Sequence, residues 1–274
     1  MTKHTLPENI ASTPVELQAL SKSKAQLVAS LGQSKRRRKL GLFLCEGHKC
    51  VSDLLQWGQR FEVEFLVATS DYIGAHREAL ERSGCEVYVV TASEMSRISA
   101  LSTPSEVLAV VRMDRSAAVQ DAEQPLPKGL YLLLDGVQDP GNLGTIIRTA
   151  HWFGIKKIFA SHDTVDIYNP KTVQSTMGSL GAVSVRYTDL QTLVERNPGL
   201  PLVGLQLDGQ DIFQAQLPRE GALICMGSEG HGLSEPIKTR LSLSLTIPAA
   251  DAADHPESLN VAIATAITLA QFCK

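Results

Sequence analysis

The 274-residue sequence predicts an α/β protein in two parts, a small α/β domain followed by a second α/β domain built on a parallel sheet. Three observations predict it. In both halves short apolar runs alternate with segments whose apolar residues repeat at helical spacing. The strand-like runs of the second half are apolar on both faces, as buried parallel strands are. Between the halves, residues 113–128 turn to Asp, Ser, Ala, Gln and Pro without apolar periodicity, which is linker composition. The expected division is residues 1–112, a linker over 113–128, and residues 129–274.

Taking the elements in order, Thr13-Pro14-Val15-Glu16 reads as a capping box with proline in the first turn, opening a helix to about Leu31. The run Ser34-Lys35-Arg36-Arg37-Arg38-Lys39 then leads into an apolar strand at Leu42-Phe43-Leu44-Cys45. Val51, Leu54 and Leu55 have helical spacing, Phe61–Thr69 is strand-like, Ile73–Arg82 helical, and Cys85–Thr91 and Ser105–Val111 are strands. In the second half strands are expected at Leu130–Leu134, Lys157–Ala160, Val183–Tyr187, Leu202–Leu205, Ala222–Met226 and Leu243–Ile247. Helices are expected at Asn142–Phe153, Lys171–Leu180 and Ser258–Phe272.

The longest apolar stretches are too short and too interrupted to span a bilayer, and the first ten residues lack a signal-peptide apolar region. A cytoplasmic protein with no membrane partner is expected. Five scattered cysteines, with no C-x-x-C pair and no regular histidine spacing, support neither a disulfide framework nor a metal site. The net charge of −3 conceals a division, because residues 1–60 carry +6, residues 61–128 carry −5 and residues 129–274 carry −4. A basic amino-terminal segment suits phosphate contact, although charge runs are as readily a solvated helix face.

Three loops each follow a predicted strand at its carboxyl end, where open α/β sheets bind ligands. They are Asp135 to Gly144, Gly227 to Ser234, and Ile247-Pro248 through Ser258-Leu259-Asn260. None is a dinucleotide-binding G-x-G-x-x-G or a P-loop. Their glycines alone read as ordinary turns and caps between βα units. The polar company of Asn142, Arg148, Glu229, Ser258 and Asn260 at the loop exits favours a site.

These stretches, Leu134-Asp135-Gly136 through Gly141-Asn142-Leu143-Gly144 to Arg148-Thr149-Ala150, then Gly227-Ser228-Glu229-Gly230, then Ser258-Leu259-Asn260-Val261, resemble in order the three motifs of the SpoU (TrmH-like) RNA ribose methyltransferases of the SPOUT class. The resemblance covers residues 129–274. Residues 34–111, with Phe43-Leu44-Cys45-Glu46-Gly47, more loosely resemble the small RNA substrate-binding domain that often precedes them.

The resemblance implies transfer of a methyl group from S-adenosylmethionine to a ribose 2′-hydroxyl, with ribosomal RNA as the expected substrate. It also implies an α/β-knot domain, threaded as a deep trefoil, that forms a homodimer. Arg148 matches the family arginine held to activate the hydroxyl. Because guanidinium stays protonated, a positioning role suits it better than a literal base. Asn142 would orient Arg148 or the ribose, Glu229 would hold Asn142 or Arg148, and Ser258 and Asn260 complete the implied catalytic set. Gly227, Ile247 and Leu259 are the implied cofactor contacts, through backbone groups and apolar walls. Lys35, Arg36, Arg37, Arg38 and Lys39, with Lys22, Lys24 and Lys49, form the expected RNA-binding patch.

The chain departs from the family pattern in two places. The third loop, Ala249–Glu257, is longer and lacks glycine, and Gln174 stands where a basic residue is usual. Three other readings stay open here: a tRNA 2′-O-methyltransferase, an RNA-binding assembly factor of the same fold with weak or lost activity, and a base methyltransferase.

Overall fold

The computed structural model describes residues 17–56, 60–114, 125–251, 254 and 256–274. Within it the chain forms two compact units divided after Met113. Most of the expected linker, residues 115–124, lies outside the described residues, as do Thr13 to Glu16.

The first unit contains β1 (Leu17–Ala19), α1 (Lys22–Ser30), α2 (Ser34–Leu40), β2 (Leu42–Glu46), α3 (His48–Gln56), β3 (Val63–Thr69), α4 (Ser70–Ser83), β4 (Val87–Val90), α5 (Ala92–Ile98) and β5 (Val107–Arg112). Its sheet has the order β1-β4-β3-β5-β2. β1, β4 and β3 are parallel, and β5 runs antiparallel to β3 and β2. One core gathers Val28, Leu31, Leu44, Phe65, Val67, Tyr88, Met95, Leu108 and Val110.

Two expectations are corrected here. The long first helix does not run through Leu17–Ala19. Those residues are a strand paired with β4, and the helix begins at Lys22, where the Lys24 N–H donates to the capping Ser21 hydroxyl at 3.3 Å. The basic run does not open directly into a strand. It forms α2, which stops at Gly41 in the left-handed region (φ 69°) before β2 starts.

That helix also corrects one predicted RNA contact. Arg37 is only 2% exposed. Its Nη1 donates to the carbonyls of Leu31 (3.1 Å) and Gly32 (2.9 Å), which lie at the end of α1. A guanidinium satisfying helix-end carbonyls is part of the fold. Lys35, Arg36, Arg38 and Lys39 remain exposed. Lys24 is likewise engaged, its ammonium paired with Glu86 at 3.3 Å and lying 4.0 Å from the centre of the Tyr88 ring.

The second unit contains β6 (Leu130–Asp135), α6 (Pro140–Trp152), β7 (Lys157–Ala160), α7 (Pro170–Ser175), β8 (Ser184–Tyr187), α8 (Leu190–Arg196), β9 (Leu202–Asp211), β10 (Ala222–Gly227), α9 (Glu235–Lys238), β11 (Leu243–Thr246) and α10 (Val261–Phe272). Its six strands lie in the order β11-β9-β10-β6-β7-β8, every pair parallel. α10 packs on α6 and against β10. The helix expected over Lys171–Leu180 ends at Ser175, because Met177 (φ 48°) and Gly178 (φ 86°) both turn left-handed.

Close approach explains one glycine. A Cβ on Gly144, in α6, would lie 2.4 Å from the Ser175 Cβ and 2.6 Å from the Thr172 carbonyl oxygen, so α7 can press onto α6 only where that side chain is absent. Among the described residues no helix is long and apolar enough to cross a membrane. Among the described residues the five cysteines form no disulfide.

Candidate active site

β6 and β10 are neighbours, with Asp135 and Gly227 paired in register at their carboxyl ends. The first and second loops therefore leave the sheet side by side. Asp139 caps α6, its Oδ1 accepting from the Asn142 N–H at 2.8 Å, and Pro140 fills the first turn. The cap fixes the backbone of Asn142 at the start of α6.

The second loop closes on itself. Ser228 and Gly232 exchange backbone hydrogen bonds of 2.9 and 3.0 Å. A Cβ on Gly227 would fall 2.2 Å from the Gly232 carbonyl carbon, so a side chain there would force the loop open. Asp135 pins the far end, its Oδ2 accepting from the Ser234 N–H at 2.7 Å. Sequence reasoning assigns Asp135 no role. A carboxylate ending an apolar strand, immediately before a glycine, is the signal that could have found it.

Three site residues meet. Asn260 Nδ2 donates to Asn142 Oδ1 at 2.9 Å, and Asn142 Nδ2 donates to Glu229 Oε1 at 2.8 Å. Glu229 Oε2 also accepts from the Gln138 N–H at 3.4 Å. The direction of this chain is set at one end. Asn260 Oδ1 caps α10 by accepting from the N–H groups of Ala262 (2.9 Å) and Ile263 (3.3 Å), which leaves only its amide nitrogen for Asn142. Asn142 must then offer oxygen to Asn260 and nitrogen to Glu229.

Asn260, not Ser258, is thus the cap of α10. Ser258 is exposed and makes no hydrogen bond among the described residues. Arg148 is exposed on α6, its side chain also without a hydrogen-bond or ion-pair partner among the described residues. Glu229 meets Asn142 rather than Arg148. His231 is exposed, and its N–H donates to the Ser228 hydroxyl at 3.2 Å.

The residues expected to contact a cofactor lie at strand or loop ends: Gly227 closes β10, half-buried Ile247 follows β11, and Leu259, 48% exposed, precedes α10. The third loop is only partly described, since residues 252, 253 and 255 lie outside. Among the described residues no group of three or more His, Cys, Asp or Glu is placed to hold a metal ion.

The SpoU rRNA Methylase family matches residues 129–270, and the MRM3-like substrate binding domain matches residues 22–109. The chain is 30% identical over 254 residues to the 23S rRNA (guanosine(2553)-2′-O)-methyltransferase RlmP of Bacillus subtilis, covering 92% of this chain and 96% of that one. Its fold superposes on a TrmH-family protein from Porphyromonas gingivalis at 36% identity and a TM-score of 0.77, covering 92% of this chain and 98% of that one. It also superposes on an AdoMet-bound rRNA methyltransferase from Sinorhizobium meliloti at 29% identity and a TM-score of 0.79, covering 95% and 98%. The fold and these matches define an RNA methyltransferase of the α/β-knot class, carrying an amino-terminal substrate-binding domain. The chain belongs to the SpoU rRNA methylase family.

Proposed function

We propose that this protein transfers the methyl group of S-adenosylmethionine to a ribose 2′-hydroxyl of ribosomal RNA. The observation that carries the reading is the hydrogen-bonded chain Asn260–Asn142–Glu229, which joins all three loops at the carboxyl ends of the parallel strands.

The residues present fit the methyl donor. Leu259 and Ile247 leave apolar surface open where the strands end. The Gly230 N–H has no partner among the described residues, and nothing lies within 4 Å of where a Gly230 Cβ would be. Gly227, Ile247 and Leu259 would hold the group through loop backbone and apolar walls. When bound, it supplies an electrophilic methyl on a sulfonium.

The protein's part is positioning. A ribose hydroxyl is a weak nucleophile and must sit in line with that methyl. Arg148, through its planar guanidinium, binds the hydroxyl or its neighbouring phosphate and stabilises negative charge on the oxygen as the hydroxyl proton passes to water. Asn142 is held from both sides by Asn260 and Glu229, which fixes the orientation of its amide. Ser258, free of internal bonds, is available to the substrate.

The domains are proposed as a substrate-gripping unit over 1–112, a linker over 113–128 and a catalytic unit over 129–274. Exposed Lys35, Arg36, Arg38 and Lys39 on α2 support phosphate contact by the first unit. We propose a homodimer formed by the catalytic unit, because Trp152 on α6 (85% exposed) and Ile263 on α10 (52%) leave apolar surface on two helices that pack together. A cytoplasmic location is proposed as well, on the likeness to bacterial rRNA methyltransferases.

The test incubates the purified chain with S-adenosylmethionine labelled in its methyl group and rRNA from cells lacking this protein, then maps 2′-O-methylation. One new modified ribose is expected. Absence of transfer to rRNA, or label on a base, overturns the reading.

A further inference from the structure

In the first unit, β2 and β3 both run antiparallel to β5, so both end at the same sheet edge. There the Gly47 N–H donates to the Val107 carbonyl and the Thr69 N–H to the Glu106 carbonyl, each at 2.9 Å. α3 and α4 start side by side from those anchors. Gly47 makes the turn with φ 96°, which an L side chain rarely adopts.

Three rings meet at this edge. His48 and His76 stack with centroids 4.5 Å apart and planes within 24°. The Tyr72 ring lies 4.3 Å from that of His76 and 5.8 Å from that of His48. The Tyr72 hydroxyl is 2.8 Å from His48 Nδ1. Burial, with Glu106 nearby, pushes the Tyr72 phenol above its ordinary pKa. α4 leaves helical geometry at His76 (φ −127°, ψ 25°), the residue whose ring joins the stack. Tyr72 is buried, whereas His48 is exposed and His76 half-exposed. The stack therefore has a fixed base and an open face. Lys49 and Arg77, both largely exposed, follow the two histidines in the chain, each paired to a carboxylate one helical turn on, Asp53 and Glu81.

A stack of rings with an open face is the arrangement that receives an unstacked nucleobase. We propose that His48 and His76, braced by Tyr72, form a stacking platform for one splayed-out base of the RNA substrate. This rests on the reading that the substrate is RNA, and it assigns the first unit a role beyond charge: reading a single-stranded or bulged feature of the target. The platform is separate from the α2 basic run, which contacts phosphate without regard to base.

The experiment uses the full chain and two RNAs: rRNA from cells lacking this protein, and a short single-stranded RNA carrying one 2-aminopurine, whose fluorescence is quenched on stacking. His48→Ala and His76→Ala are each expected to weaken binding to both RNAs roughly tenfold and to lose the quenching. KM for rRNA rises while kcat at saturating RNA and binding of S-adenosylmethionine stay unchanged. His76→Phe, which keeps a ring, is expected to retain binding within about twofold. Alanine variants that bind and quench like the parent overturn the proposal, as does His76→Phe failing as badly as His76→Ala, which marks a purely structural role. A parent protein that neither binds nor methylates rRNA overturns this proposal and the proposed function together; variants that behave like a fully active parent overturn this proposal alone.

Discussion

Asn260 donates from Nδ2 to Oδ1 of Asn142 across 2.9 Å, although the two residues are 118 positions apart. Asn260 thereby does two things, capping α10 and orienting Asn142, and the two can be separated by substitution. Asn260→Asp keeps a good cap but has no donor for Asn142. It is expected to hold parental thermal stability while kcat falls about tenfold or more. Asn260→Ala should lose activity and also about 1 kcal/mol of stability. Thermal melts beside methyl-incorporation kinetics check both, and parental kcat in Asn260→Asp would remove the tie from the mechanism.

Arg148→Ala is expected to lower kcat by about a hundredfold or more while affinity for RNA stays near that of the parent. Arg148→Lys should recover little, because a compact ammonium does not reproduce the planar fork. Single-turnover rates with saturating RNA give the answer, and normal turnover in Arg148→Ala refutes the assigned role.

Gly144→Ala places a methyl against the Thr172 carbonyl and the Ser175 side chain, of which the backbone contact cannot yield by a rotamer change. A loss of roughly 1–3 kcal/mol in urea denaturation is expected, as for other overpacked cores. Gly154→Ala, just beyond the end of α6 at a position with no atom within 4 Å but with φ 78°, tests backbone conformation without crowding.

Glu46 is 4% exposed and accepts hydrogen bonds from the Ser99 hydroxyl (2.6 Å) and the Ala100 N–H (3.0 Å). Burial outweighs both bonds and raises its pKa above the ordinary 4.5. A carboxyl that binds its proton more tightly when folded adds stability as pH falls from the raised native value toward the unfolded one, and loses it as pH rises through the native value. Glu46→Gln should remove that component of the pH dependence. Urea midpoints measured from neutral to mildly acidic pH show it as the difference between the two slopes.

The cations of α2 divide by burial. Neutralising Lys35, Arg36, Arg38 and Lys39 should weaken RNA binding and flatten its log–log salt slope by about 0.7–0.9 for each phosphate no longer neutralised. Arg37→Ala should instead destabilise the first unit, because the Leu31 and Gly32 carbonyls lose their donor. A melt and a salt titration of each variant separate the two effects.

The strands β6, β7 and β10 and the helix α6 are legible because apolar continuity, proline and caps are written locally. β1 is not, since Leu17–Ala19 is a strand only through pairing with Val87–Val89, about seventy positions away. α5 escapes a reading by apolar periodicity, although Thr91 and Glu94 spell a capping box, a local signal present in the sequence. Nothing in a run of five cations distinguishes Arg37, whose fate depends on where α1 ends. At the site, resemblance brings Asn142, Glu229 and Asn260 together, but the direction of their hydrogen bonds comes only from the cap on α10. The bulge that lets β9 run on to Asp211 beside β11 has no counterpart in the expected short strand.

The hydrogen-bonded chain through Asn142 also sets a schedule for the molecule's birth. A ribosome that has released Asn142 and Glu229 has made two of its members, yet neither has its final orientation until Asn260 emerges and α10 docks. The orientation of Asn142 is therefore completed late, after more than two hundred residues have been made, and by a single docking event.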